Sequence, residues 1–585
     1  TGAVDLKQAG DLQIGLIKGS SVGLTTTDGG LIQSGLQTAG LNIDTAGHLD
    51  LISAGGIGSF GVVTTPIRAT AQTIDLSAQD DVAFAVQGAS SFGDVILGGA
   101  GRLILTGDGG ALSLTQAIDS TAIEQMLMSV TGGALNIGDS ITLSDAPLTL
   151  QSDTGITLSN DASLTTDAGD VIIDAGASGF DMGSITSNVS TSGGHLLISS
   201  TGDIKLGQID ISAQSGPSGS AQLTSSNGQI LGFTGLTQGQ SHVLADQLLL
   251  NAALNLGSQS NPLAVDVARL VSDTAGGDAF VTAHADITIS DTQIFSVDRV
   301  TDSRVVASQR IGSERGFVSH GALSLTVTGQ LTLDSDMISG SDLTIVADAL
   351  QQGSGTSIEA GAGILIDVAH DAILTQVTAS GAWSAVNGPS WTTLDSAVVD
   401  IDIDGTMSSS NDRTFLAGSH IKLDADSVTT GFDVATDMLT LNASAGSIDV
   451  LDVISQSSSS TSLGLDVSGA DSVSVDAQRS LRVASVQVGA DKTVELQSRL
   501  GDIDLLMATP QSDAGEVDLR AMGHISATAM LVGGRLTSYF SGNTLRLGEN
   551  FSSEVPFIEF DDSIAKSTNQ LYLNSGDQVV INRDV

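Results

Sequence analysis

The run Asp400-Ile401-Asp402-Ile403-Asp404-Gly405 places three carboxylates at every second position. On a β-strand alternate side chains share a face, so the three would stand together while Ile401 and Ile403 turn the other way into a core. The spelling D-x-D-x-D-G also matches the opening of a calcium loop, whose oxygen ligands suit a hard cation. The EF-hand form of that loop requires Glu at its twelfth position, where this chain has Asn411. The run therefore reads first as a solvated strand face. Repulsion among like charges still invites a weakly held Ca²⁺ on Asp400, Asp402 and Asp404. Asp80-Asp81 and Asp561-Asp562 are weaker candidates, and Gly98-Gly99-Ala100-Gly101-Arg102-Leu103 starts a calcium β-roll nonapeptide but offers Leu where the ligand Asp belongs.

Three other groups could do chemistry. Arg299, Arg304, Arg310 and Arg315 concentrate positive charge within 294–320, either as an intermolecular handle or as internal partners of Asp298, Asp302 and Glu314. Trp383 and Trp391, with Pro389 between them, could stack on a sugar ring or sit in a partner interface, or cover apolar surface beneath a long loop. Of the histidines, His48, His195, His420 and His524 occupy one recurrent turn position and read as turn residues, not as metal ligands or catalytic bases. Acid–base cleavage of a polysaccharide would need clustered carboxylates with Lys or Arg to hold an acidic sugar. Basic residues are too sparse to favour that, and no catalytic residue is assigned.

The elements that carry these residues follow from a short phrase: glycine, a small or polar residue, then apolar, polar, apolar. It stands as Gly10-Asp11-Leu12-Gln13-Ile14, Gly93-Asp94-Val95-Ile96-Leu97, Gly169-Asp170-Val171-Ile172-Ile173, Gly202-Asp203-Ile204-Lys205-Leu206 and Gly501-Asp502-Ile503-Asp504-Leu505. Looser copies such as Gly133-Ala134-Leu135-Asn136-Ile137 and Gly446-Ser447-Ile448-Asp449-Val450 fill the intervals. Each copy alternates as a strand with one buried face does, and glycine ahead of it permits a sharp corner. A strand this short cannot bury its own apolar face. Stacking coil on coil solves the problem, so the sequence predicts an all-β, parallel β-solenoid (β-helix), continuous over 1–585. At roughly 20 residues per coil this gives fewer than about 30 coils, a rod of order 130 Å at about 4.8 Å each.

A longer element recurs too. Ile57-Gly58-Ser59 precedes Pro66-Ile67-Arg68-Ala69, Leu256-Gly257-Ser258 precedes Pro262-Leu263-Ala264-Val265, and Pro556-Phe557-Ile558-Glu559-Phe560 is a poorer echo. Three stretches break the rhythm and are read as insertions on the flank: 116–131, 294–320 and 382–413. Within the first, Ser120 to Val130 has helical composition and a capping-box spacing from Thr121 to Glu124, which predicts a short helix.

Composition narrows the partners. The chain has 66 acidic and 21 basic residues, a formal net charge of −45, and only eight of the acids are Glu. Asp favours turns, so the acidity belongs to the corners. Such a field repels nucleic acid and anionic membranes. There is no cysteine, hence neither a disulfide nor a thiolate metal site. No apolar run is long enough to form a transmembrane segment. The chain starts at Thr1 without a signal peptide, and reads as a processed or excised piece.

The Gly-Asp-apolar-x-apolar phrases, with the Ile/Leu-Gly-Ser…Pro-apolar-x-apolar element, resemble the repeats of large bacterial exoproteins of the filamentous-haemagglutinin and autotransporter-passenger kind. The resemblance spans most of the chain, without a recognisable two-partner secretion domain at the start or a β-barrel segment at the end. It implies a right-handed parallel β-helix on or beyond the surface of a Gram-negative bacterium. The expectation is a non-enzymatic extracellular adhesin-like stalk, with a protein or glycan receptor met through its flank loops. The alternative is a self-assembling subunit of a filament or surface layer, binding copies of itself end to end. A polysaccharide-active β-helix enzyme is the third reading.

Overall fold

The computed structural model describes residues 2–33, 40–60, 64–213, 218–291, 293–302, 306–311, 316–379, 398–409, 413–418, 420–435, 438–453, 462–470, 472–477, 480–488, 493–498, 502–505, 516–521, 525–527, 535–541, 544–547, 558–560, 570–573 and 579–581. The chain is all-β, a parallel β-solenoid of about 18 turns, with no helix among the described residues. It divides into two compact units, Thr1–Arg315 and Gly316–Val585.

The repeated phrase makes the walls as its pattern dictates. In Ile204–Leu206 the two apolar side chains are buried and Lys205 is exposed. In the first unit one wall is an eleven-stranded sheet of parallel pairings that starts at Val4–Gln8 and ends at Ile230–Gly232. A second wall stacks Val82–Gln87, Gly101–Asp108, Ile123–Thr131, Leu148–Ser152, Val171–Ala175 and Leu196–Ser200 in register. Along it, Ile104, Leu127, Thr149, Ile172 and Leu197 are partners at steps of 23, 22, 23 and 25 residues. In the second unit the coils are shorter: Leu323, Leu343 and Ile364 are partners 20 and 21 residues apart.

The expected helix at 120–130 is a strand. Ile123–Thr131 pairs in parallel with Gly101–Asp108 and Leu148–Ser152, so 116–131 belongs to the coil and is no insertion. Met126 and Met128 fill the core, and Leu127 is buried on the outer face of the same strand. Burial of both faces, not a helical stripe, explains the apolar run Met126-Leu127-Met128.

The Asp position of the phrase accepts a backbone N–H from the next coil. Asp11 Oδ1 takes that of Gly30 at 2.8 Å, Asp170 Oδ1 that of His195 at 2.7 Å, and Asp203 Oδ1 that of Gln229 at 3.0 Å. His195, in the same position of its own coil, offers Nδ1 to Ser220 N–H at 3.0 Å. Corners lack the ladder partners that strands have, so a side-chain acceptor there satisfies an otherwise orphaned donor.

The longer repeat folds alike in both copies. Ser59 bridges Thr65 and Ser258 bridges Asn261 in antiparallel fashion, after Gly58 and Gly257 at φ +78° and +64°. A Cβ on Gly257 would strike the carbonyl oxygen of Phe280, so only glycine suits that corner. Behind each copy a buried polar side chain spans two coils. Asn42 Oδ1 accepts Arg68 N–H at 2.9 Å, and its Nδ2 donates to Ile14 O at 3.1 Å. His242 Nδ1 accepts Ala264 N–H at 3.0 Å, and its Nε2 lies 2.9 Å from Phe233 O. Within the third echo, Ile558–Phe560 is a strand paired in parallel with Val579–Ile581; Pro556 lies outside the described residues.

Candidate functional site

Strands of the second wall carry three apolar residues in a row: Leu103-Ile104-Leu105, Met126-Leu127-Met128, Val171-Ile172-Ile173, Leu196-Leu197-Ile198 and Leu248-Leu249-Leu250. Strict alternation would put each middle residue in water. Instead the middle residues are buried, at most 2 % exposed, because a hairpin lies over them. Its strands, Ser296–Val300 and Val306–Arg310, pair antiparallel. They are set in the 294–320 interruption of the repeat.

The hairpin runs along the coil axis, across the strands beneath it. Gln293 N–H donates to Gln247 Oε1 at 2.8 Å, the Phe295 ring lies 5.0 Å from the His195 ring, and Asp298 N–H donates to Asp170 Oδ2 at 2.7 Å. Gln247, Ser220, His195 and Asp170 stand on successive coils of one column. Five residues of extended chain reach about 16 Å, and three inter-coil spacings are about 14 Å, so strand rise and coil spacing match. Farther along, Val300 N–H donates to Thr149 Oγ1 at 3.0 Å.

Apolar contact fixes the strap. Phe295, Val297 and Ile311 cluster with Ile172, Leu197, Leu249 and Val271. Val300 clusters with Ile104 and Leu127, with Phe60 packed against them. Phe60 also lies under the Arg102 guanidinium, 4.6 Å from ring centroid to Cζ.

Arg299 is paired internally, to Asp174 of the wall, and its Nε and Nη2 donate to Gln309 Oε1 at 3.2 and 2.9 Å. That partner lies 125 residues away and is none of the neighbours expected from the sequence; Asp298, next to Arg299 on the same strand, faces the other way and accepts from Ser308 Oγ at 2.6 Å. Arg310 is exposed on the second strand, while Arg304, Glu314 and Arg315 lie outside the described residues.

Burial shifts two titratable groups in opposite directions. Loss of water holds the Asp170 carboxyl above the usual carboxylate range, against the N–H donors of His195 and Asp298 that pull it down. At His242 burial pushes the imidazole below its ordinary value, keeping it neutral as the Phe233 carbonyl and Ala264 N–H contacts require.

A groove of about 480 Å³ opens beside the hairpin tip, between Val300–Asp302 and the wall. Its floor is the outward column Arg68, Ala85, Thr106, Ser129 and Gln151, one residue per coil. A second outward column, Gln87, Asp108 and Thr131, forms the far side.

In the second unit, Asp400, Asp402 and Asp404 lie on Val398–Ser408 with Ile401 and Ile403 buried between them. Asp400 pairs with Lys422 Nζ at 3.0 Å. Asp402 stands in register with Asp367 and Asp424 of the adjoining coils, and its carboxyl is held above the usual range by partial desolvation and then by Asp424, Asp367 and Asp404. Among the described residues no three carboxylate or imidazole groups converge as metal ligands. His48, expected in a turn, is the exposed first residue of the strand His48–Ser53, Nδ1 3.0 Å from Thr73 Oγ1 and Nε2 3.3 Å from Asp75 Oδ2. Trp383, Trp391, His524, Asp561 and Asp562 lie outside the described residues. Among the described residues no helix is long and apolar enough to cross a membrane.

Comparison with protein-family models, with curated proteins and with solved structures gave no match.

Proposed function

We propose that this chain is a non-enzymatic scaffold of the cell exterior, a stalk that holds recognition surfaces for attachment to cells or matrix. The observation that carries this reading is the axial hairpin clamped across successive coils by Gln247, Asp170 and Thr149. A parallel ladder already resists separation of neighbouring coils, and a strap laid along the axis adds resistance to bending and sliding. A load-bearing scaffold needs such a brace. The acidic surface keeps copies apart and leaves recognition to specific contacts. The absence of cysteine removes thiols that oxidation outside the cell would attack.

Beads coated with the purified chain, presented to cell layers and to matrix-coated surfaces, test this reading. The expected result is adherence above that of albumin-coated beads, with dispersed particles in negative-stain micrographs. Concentration-dependent fibres without adherence would instead make the chain a filament subunit. Release of reducing ends from a polysaccharide panel would make it an enzyme.

A further inference from the structure

We infer that the groove beside the hairpin tip binds a linear neutral oligosaccharide lying along the coil axis. Its volume, about 480 Å³, falls in the range of small-ligand sites, about 300–1,000 Å³. An adjoining hollow of about 210 Å³ is lined by Thr64, Pro66 and Arg68, and extends it past the first floor residue.

The lining selects the ligand class. Arg68 Nε and Thr64 Oγ1 are buried and meet no hydrogen-bond partner among the described residues. A buried guanidinium donor without an acceptor is costly, and a ligand oxygen placed there recovers that cost. Thr106, Ser129 and Gln151 continue the floor with groups that both donate and accept, and Asp108 and Asp302 add acceptors at the sides. Mixed donors and acceptors at close spacing are what a sugar ring with vicinal hydroxyls requires.

The geometry selects a linear chain. Floor residues repeat once per coil, about 4.8 Å apart, a spacing of the same order as the advance of one pyranose in an extended glycan. The floor strands commit their backbone N–H and C=O groups to the parallel ladder, so an extended peptide finds no edge to join. Charge selects neutrality: Asp108 and Asp302 face the groove against one Arg68, on a chain of net charge −45, so a uronate would be repelled.

The inference deepens the attachment reading and rests on it for its biological setting. Its test is titration of the whole chain with tetramers of β-1,4-linked glucose and of N-acetylglucosamine, followed by calorimetry, with a tetra-uronate as the charged control. One neutral tetramer should bind and the uronate should not. Arg68→Ala should weaken binding at least tenfold, and Thr106→Tyr, which fills the floor from the outer face, should abolish it with an unchanged melting temperature. Failure of both neutral tetramers at millimolar concentration, uronate binding at least as tight, or affinity unmoved by both variants would overturn the inference. Bead adherence without binding of either tetramer refutes the groove while sparing the attachment reading; tetramer binding without adherence does the reverse.

Discussion

Asp170 holds two parts of the chain at once: Oδ1 accepts the N–H of His195 on the next coil, and Oδ2 accepts that of Asp298, 128 residues away in the hairpin, both at 2.7 Å. One carboxylate is therefore both a corner acceptor of the solenoid and the anchor of its strap.

Replacing it by Asn sets an amide N–H against one of these two donors. Asp170→Asn should cost about 1–3 kcal/mol, the penalty of an unmatched buried polar group, and speed hydrogen exchange at the Asp298 amide. The pH dependence carries a sign. Because burial raises the folded pKa, the native state binds this proton more tightly than the unfolded chain, so the Asp170 contribution falls as pH rises above the ordinary carboxylate value. The stability gap between wild type and variant should widen on acidification toward the ordinary carboxylate value, measured by urea unfolding. A gap that narrows would contradict the assignment.

Val297 is fully buried between hairpin and wall. Val297→Asp puts a charge into that seam and should release the hairpin without unfolding the coils. Limited proteolysis should cut within 293–311, a hydrophobic dye should bind the bared Ile172, Leu197 and Leu249, and the β-sheet circular dichroism should be unchanged. Protease resistance equal to wild type would mean that the polar anchors alone suffice.

His242 predicts an acid-sensitive step. Its folded pKa is lowered by burial, so its contribution is complete above the unfolded histidine value of about 6.5 and is lost as pH falls through that value. Asn42 performs the same two-coil bridge with an amide. His242→Asn should therefore keep much of the neutral-pH stability and flatten the loss below about pH 6.5, followed by thermal melts; His242→Leu, which leaves Ala264 N–H unmatched, should destabilise at every pH.

Asp402 stacks between Asp367 and Asp424. Like charges directly opposite on neighbouring strands are unfavourable, so Asp402→Asn should stabilise by about 0.2–1 kcal/mol, an advantage that shrinks in high salt. Equal stability at low salt would show that Lys422 already neutralises the stack.

The coil walls were legible because each carries its own signal: alternation in Ile204-Lys205-Leu206 and glycine before the strand need no distant partner. The strap was legible only in halves. Apolar triplets such as Leu196-Leu197-Ile198 state that an outer face is covered, and Phe295, Val297, Val300 and Ile311 state that something covers. Which covers which depends on the coil count between residue 172 and residue 297, a tertiary fact. For the same reason the partner expected for Arg299 was a neighbour in sequence, whereas Asp174 is a neighbour in space. The helix expected at 120–130 failed because the register that binds Ile123–Thr131 to both adjoining strands outweighs the local composition, with Glu124, Gln125 and two methionines.

The hairpin also changes how the stack melts. In a repeat array each unit is stabilised by itself and by its immediate neighbours, so loss can start at an end and travel one coil at a time. A strap that packs on Ile104, Leu127, Ile172, Leu197, Leu249 and Val271 adds couplings between coils that do not touch. The segment from about 104 to 271 then behaves as a single cooperative block inside an otherwise zipper-like array, and fraying that reaches its border must open the whole block or stop there.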